Sequence, residues 1–131
     1  MEQKFASLLV KDQEEALQFY TEVLGFRKMA DIPMGESRWL TVISPDGVDG
    51  MELVLEPMRF QPAQVYQKAL YDAGIPLIAL ISSDIQKDYQ NLQARGVVFR
   101  GEPQDYGVIK SVVSEDTCGN LVNLVQPNPQ P

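Results

Sequence analysis

Histidine is absent from all 131 positions of this chain, and with it the side chain whose ordinary pKa lies nearest neutrality. Acid–base chemistry at neutral pH would therefore need a carboxylate, lysine, tyrosine or thiol whose pKa is moved by its surroundings. The one cysteine, Cys118, excludes a disulfide within the chain. It also lacks a histidine base, which argues against a nucleophilic thiol. In Asp116-Thr117-Cys118-Gly119-Asn120 it reads as a turn residue. Basic residues are scarce: 11 Lys and Arg face 18 Asp and Glu, for a net charge of -7. That balance opposes the counterion-releasing contacts of a phosphate backbone, so no nucleic-acid partner is expected, and a ligand should be neutral or cationic rather than a polyanion. No apolar run approaches the ~18 residues of a membrane span, and no cationic stretch or small-residue cleavage site precedes Asp12. The expectation is a cytoplasmic protein without a membrane partner.

What is present is a core and a repeat. The composition is 44% hydrophobic, enough for one globular domain over residues 1–131. Lys4 to Val10 reads as a strand, followed by Asp12 as an N-cap with Glu15 three residues on, and by a helical stripe of Ala16, Phe19, Tyr20, Val23 and Leu24 that Gly25 ends. Arg27–Ile32, Arg38–Ile43 and Met51–Glu56 follow as strands, separated by turn residues. The same order returns after a connecting helix at about 62–74, whose Val65, Tyr66, Ala69, Leu70 and Ala73 share one side. Leu77–Ile81 is a strand, Asp84 an N-cap, Ile85, Tyr89 and Leu92 a helical stripe, and Gly96 its stop. Strands near Val98–Arg100, Val108–Val113 and Leu121–Val125 complete the copy. The spacing predicts an α+β fold of two βαβββ modules, at about 3–57 and 76–126, with a frayed proline-rich tail at 127–131. Arg38 is expected to face solvent, and Tyr20, Tyr66 and Tyr89 to lie in the core.

The run Val10-Lys11-Asp12 followed by Ala16-Leu17-Gln18-Phe19-Tyr20-Thr21-Glu22-Val23-Leu24-Gly25-Phe26 resembles the opening of the vicinal oxygen chelate superfamily, which includes glyoxalase I, bleomycin-resistance proteins, fosfomycin-resistance enzymes and extradiol dioxygenases. Asp116-Thr117-Cys118-Gly119-Asn120 is similar to that family's closing Asp-Pro-Asp-Gly-Asn turn. The resemblance implies mixed sheets that form a cup, commonly in a dimer, with a divalent metal on four inward-facing positions. Counted from the flanking motifs, those positions are Phe5, Glu52, Leu77 and Asn123. Two hydrocarbons, one carboxylate and one amide do not make the N/O-rich sphere such an ion needs. No metal and no cofactor are therefore expected.

Strand alternation places Phe5, Ser7 and Leu9 on one face of their strand, and by the same rule Glu52, Val54 and Glu56 share a face of theirs. Glu52 would be a base if its pKa were raised in a dry cup, or a structural partner of Arg38 or another cation. Trp39 shares a face with Thr41 and Ile43, as a ligand platform or as core. Asn123 can pair with a ligand carbonyl or with nearby backbone. The expected ligand-binding set is Phe5, Ser7, Trp39, Glu52, Leu77 and Asn123, in one cavity made from both modules, with Glu52 as the candidate catalytic group. Three functions fit: a metal-independent binding protein for a small, partly apolar or aromatic ligand; a metal-free isomerase or lyase on a small carbonyl compound; and a glyoxalase-like relic in protein interaction. A homodimer is expected.

Overall fold

In the computed structural model of the chain, which describes residues 1–129, the repeat becomes two four-stranded mixed sheets. The first has β1 (Phe5–Val10), α1 (Gln13–Gln18, running on as a wider π turn over Phe19–Val23), β2 (Arg27–Met34), β3 (Ser37–Ile43) and β4 (Glu52–Pro57). After α2 (Gln61–Asp72) come β5 (Ile78–Ile81), α3 (Ile85–Ala94), β6 (Gln104–Asp105), β7 (Ile109–Glu115) and β8 (Leu121–Pro127). The strand orders β1-β4-β3-β2 and β5-β8-β7-β6 are the same arrangement twice. The architecture is α+β with two βαβββ modules. Two compact units meet inside α2, between Gln67 and Lys68.

In the first unit, β1 and β4 are parallel, with Phe5 opposite Glu52 and Ser7 opposite Val54, and β2–β3–β4 continue antiparallel. The Asp12 side chain accepts from the Glu15 amide at 2.9 Å and starts α1. Thr21 Oγ1 donates to the Leu17 carbonyl at 2.6 Å, a back-bond that competes with the α pattern. In the wider turn that follows, the Leu24 amide reaches Phe19 O, and the adjacent aromatics Phe19 and Tyr20 both lie in the core. Leu8, Val10, Ala16, Leu40, Val42 and Leu55 are buried with them. The crossover helix covers one face of the sheet and leaves the other free of helices. Gln13 fastens α1 to that sheet: its Nε2 donates to the Arg38 and Leu55 carbonyls at 2.7 and 2.9 Å, and its Oε1 accepts from the Arg38 amide at 3.1 Å.

The second unit repeats the device. Asp84 accepts from the Lys87 amide at 3.2 Å, β5 and β8 are parallel with Ala79 opposite Asn123, and β7 pairs Val113 with Asn123. Ile85, Val112 and Leu124 are buried, and Leu80, Tyr89, Leu92 and Phe99 pack against them. The Tyr89 and Phe99 rings meet edge to face at 4.7 Å.

Several expectations change. The strand near Val98–Arg100 shrinks to a single Phe99–Ser114 bridge. Gly101 turns the chain at φ 128, and the edge strand forms later, at Gln104–Asp105. Arg38 is not simply solvent-facing: only a quarter of its side chain is exposed, and it donates to Asp31 through Nε and Nη2 at 2.9 and 2.7 Å and to Glu14 through Nη1 at 2.9 Å. Its hydrogen bonds hold the Asp31 carboxyl at about 2. Tyr66 is 53% exposed, whereas the buried residue of α2 is Gln67, whose Nε2 donates to the Leu9 carbonyl at 3.0 Å. Two residues of the expected frayed tail are held: Pro127 closes β8 opposite Ile109, and Asn128 is bound to Asp105 and Gly107. Residues 130 and 131 of that tail lie outside the described residues.

Candidate functional site

The helix-free face of the first sheet gathers four of the expected site residues. Phe5 and Ser7 come from β1, Trp39 from β3 and Glu52 from β4, all on the side opposite Leu8, Leu40 and Leu55. Phe5 and Trp39 meet edge to face, with centroids 5.3 Å apart and planes at 81°, the favoured geometry for rings whose faces are negative and edges positive. Phe5 is 43% exposed and Trp39 half-buried. Ile32, opposite Trp39, and Met34 extend the same face, and both are more than half exposed. The outer part of the face is therefore accessible, apolar and aromatic.

Its inner part is polar and buried. Glu52 is 7% exposed, and its Oε1 accepts from the fully buried Thr41 hydroxyl at 2.7 Å. A hydrogen bond to a carboxylate is worth roughly 1.5–3 kcal/mol. Lys4 Nζ stands 3.6 Å from Glu52 Oε2 and 5.9 Å from the Phe5 ring centroid, with half of its side chain exposed. The cation beside Glu52 is thus Lys4, because Arg38 projects to the helix side of the sheet and is taken by Asp31 and Glu14. Ser7 Oγ donates to Glu56 Oε1 at 3.2 Å, a partner that strand alternation alone does not single out. Thr41 was missed for a similar reason. It reads as an ordinary strand residue, and only its register two residues from Glu52 across the β3–β4 pair makes it the carboxylate's donor.

Leu77 and Asn123 belong to the second unit. The Leu77 amide donates to the Leu121 carbonyl just before β5, whereas Asn123 is opposite Ala79. With Leu77 as the counterpart of Phe5, Asn123 is therefore two residues further along β8 than Glu52 is along β4. It lies between Ala79 and Val113 on the face opposite Leu80, Val112 and Leu124. Among the described residues, its Oδ1 is the buried side-chain polar atom left without a hydrogen bond. A cleft of about 200 Å³ adjoins its cross-strand neighbour Val113, lined by Arg100, Gly101, Glu102, Gln104, Tyr106, Ser111, Val112 and Val113. Beside it, Tyr71 Oη donates to Glu115 Oε1 at 2.7 Å, Arg100 Nε is 3.6 Å from Glu115 Oε2, and the guanidinium lies 4.9 Å from the Tyr71 ring centroid. The bond to Glu115 raises the Tyr71 pKa.

Cys118 is buried rather than displayed. Its Sγ donates to the Asp116 carbonyl at 3.2 Å, inside a turn held by the Asp116 carboxylate. That carboxylate accepts from the amides of Cys118 and Asn120 at 2.8 and 3.0 Å and from Asn120 Nδ2 at 2.8 Å.

The metal implied by the resemblance does not fit the residues present. Glu52 Oε1 already accepts from Thr41, while Phe5 and Leu77 offer no lone pair. Among the described residues, no three His, Cys, Asp or Glu side chains gather where they could hold a metal ion. No helix among them is long and apolar enough to cross a membrane.

Comparison with known proteins agrees with this architecture. The chain is 48% identical over 120 residues to the uncharacterized protein YurT of Bacillus subtilis (strain 168), covering 92% of this chain and 94% of YurT. It superposes on the crystal structure of UcmS2 with a TM-score of 0.80 and 28% identity, over 95% of this chain and 97% of that one. With TnmS3, an antibiotic binding protein from Streptomyces sp. CB03234, the TM-score is 0.74 and the identity 30%, over 98% and 97% of the two chains. A family model matches residues 3–124. By that match, the chain belongs to the Glyoxalase/Bleomycin resistance protein/Dioxygenase superfamily.

Proposed function

We propose that this protein is a metal-independent, cytoplasmic binding protein that holds a small, partly aromatic compound against a helix-free sheet face and works as a homodimer. The observation that carries the reading is the accessible Phe5–Trp39 pair above a buried polar floor. An aromatic ligand stacked there would gain roughly 0.5–1.5 kcal/mol per ring pair beyond the area it buries. The Glu52 carboxylate, already fixed by Thr41 and offset by Lys4, would orient a neutral or cationic donor group without a large rearrangement. Similarity to an antibiotic binding protein supports a small-molecule ligand.

A thermal-shift screen of planar aromatic compounds, repeated on Trp39→Ala, tests this. Compounds that raise the melting temperature of the parent chain should lose most of that effect in the variant. The reading fails if no such compound binds or if binding ignores Trp39. Glu52→Gln separates binding from chemistry. Its amide keeps the Thr41 acceptor, so stability should change by no more than about 1 kcal/mol. The position of Glu52 on this face also favours a second reading, a metal-free isomerase or lyase with Glu52 as proton shuttle on a small carbonyl compound. Turnover that disappears in Glu52→Gln while affinity persists would select that reading over binding alone.

A further inference from the structure

The unpaired carboxamide of Asn123 needs a partner. In folded proteins a buried polar atom without one costs about 1–3 kcal/mol and is rare. The neighbours of Asn123 on its own face cannot help: Ala79 and Val113 are directly opposite it, with Leu121 and Val125 two residues either way along β8. None has a side-chain donor. The residue as a whole is half-buried, and the last torsion of a carboxamide is broad. Rotation about it would turn Oδ1 toward the accessible side, where an incoming donor could meet it.

A place for such a donor adjoins it. The cleft of about 200 Å³ begins at Val113, the cross-strand neighbour of Asn123, and continues past Ser111 to Gln104, Tyr106 and Arg100. Its one arginine is already offset by Glu115, whose other oxygen is taken by Tyr71, so the cleft holds no uncommitted cation for an anionic ligand. Glu102 on the lining opposes anions further. A charged group at Asn123 would lose its hydration against Ala79, Leu121, Val113 and Val125, a cost no ion pair there would offset.

We propose that the Asn123 face of the second sheet is a binding site for a neutral planar compound with a lactam or carboxamide edge. The ligand N–H donates to Asn123 Oδ1, Asn123 Nδ2 donates to the ligand carbonyl, and the ring lies over Val113 into the cleft. Asparagine reads an adjacent donor and acceptor in this bidentate way when it recognises adenine. The inference rests on the small-molecule reading above and adds a second site to it.

The test compares quinolin-2(1H)-one, which has the lactam edge, with 2-methoxyquinoline, which has the same ring system and no N–H, by calorimetric titration. The parent chain should bind the lactam roughly tenfold more tightly, the worth of one net hydrogen bond. In Asn123→Leu that preference should vanish, while the ligand-free melting temperature stays equal or rises because the unpaired group is gone. Equal affinities for the two probes, a preference that survives Asn123→Leu, or no binding of either probe by a protein whose Trp39-dependent aromatic ligands still bind would overturn the inference and leave the binding reading intact. A melting temperature several degrees lower in Asn123→Leu would also overturn it, by assigning the carboxamide to the scaffold. Failure of every planar compound in the wider screen would remove both.

Discussion

Replacing Asp116 by alanine should destabilise this protein more than any change at the candidate site. The carboxylate is fully buried and accepts at least three hydrogen bonds, from the amides of Cys118 and Asn120 and from Asn120 Nδ2. Bonds to a charged acceptor are worth roughly 1.5–3 kcal/mol each, but they share one group and do not add. Truncation also strands two backbone N–H groups in residues no more than 2% exposed, at about 1–3 kcal/mol for each one left unpaired. Against this stands the recovered cost of burying a carboxylate. The net expectation is a loss of about 3–5 kcal/mol, a large part of the 5–15 kcal/mol typical of a folded domain. Asp116→Asn keeps one acceptor oxygen but turns an amide toward Asn120 Nδ2, and should lose roughly half as much. Urea unfolding followed by circular dichroism reads both as a shift in midpoint at unchanged slope. A loss below about 1 kcal/mol for Asp116→Ala at unchanged slope would refute the claim that this carboxylate organises the turn.

Two further perturbations follow from the same structure. Thr117 sits at φ 63, a left-handed conformation that a β-branched residue adopts at a cost; Thr117→Gly should raise stability by about 1 kcal/mol, and an unchanged or lower urea midpoint would show that the strain is absent. Asp31 titrates at about 2 rather than 3.8 because Arg38 hydrogen-bonds its carboxylate, so its contribution is complete above 3.8 and is lost as pH falls from there toward 2. Melting curves between those pH values should fall less steeply for Asp31→Asn than for the parent chain, and parallel curves would exclude this pair as an acid-sensitive contact.

The features that were legible in the sequence are those that a short segment decides alone. Asp12 and Asp84 cap helices because the acceptor and the amide it meets are three residues apart, and Gly25 and Gly96 end them at positive φ. Alternation likewise grouped Phe5 with Ser7, Trp39 with Thr41 and Glu52 with Val54 within their strands, and register joined those groups on one face. What stayed hidden depends on register. Thr41 becomes the partner of Glu52 only when β3 meets β4, and Arg38 faces Asp31 and Glu14 only when β2 and α1 arrive beside it. Tyr66 shows the limit of a stripe: apolar spacing on α2 identified a side without saying which way the helix turns it, and the buried position went to a glutamine that caps a strand carbonyl. Asn123 could be placed on its strand, but its missing partner is a property of four apolar neighbours from three strands.

The parallel pairs β1–β4 and β5–β8 govern the order in which this chain assembles. Phe5 has no strand partner until Glu52 has been synthesised, and Ile78 none until Val122 has. The β2–β3 hairpin, closed by a short turn, can form as soon as it leaves the ribosome, whereas the first strand of each module must wait for the last and carries the entropy of the long loop between them. Each module is thus completed by its final strand, and a nascent chain stalled before Glu52 or Leu121 exposes the floor on which both candidate sites are built.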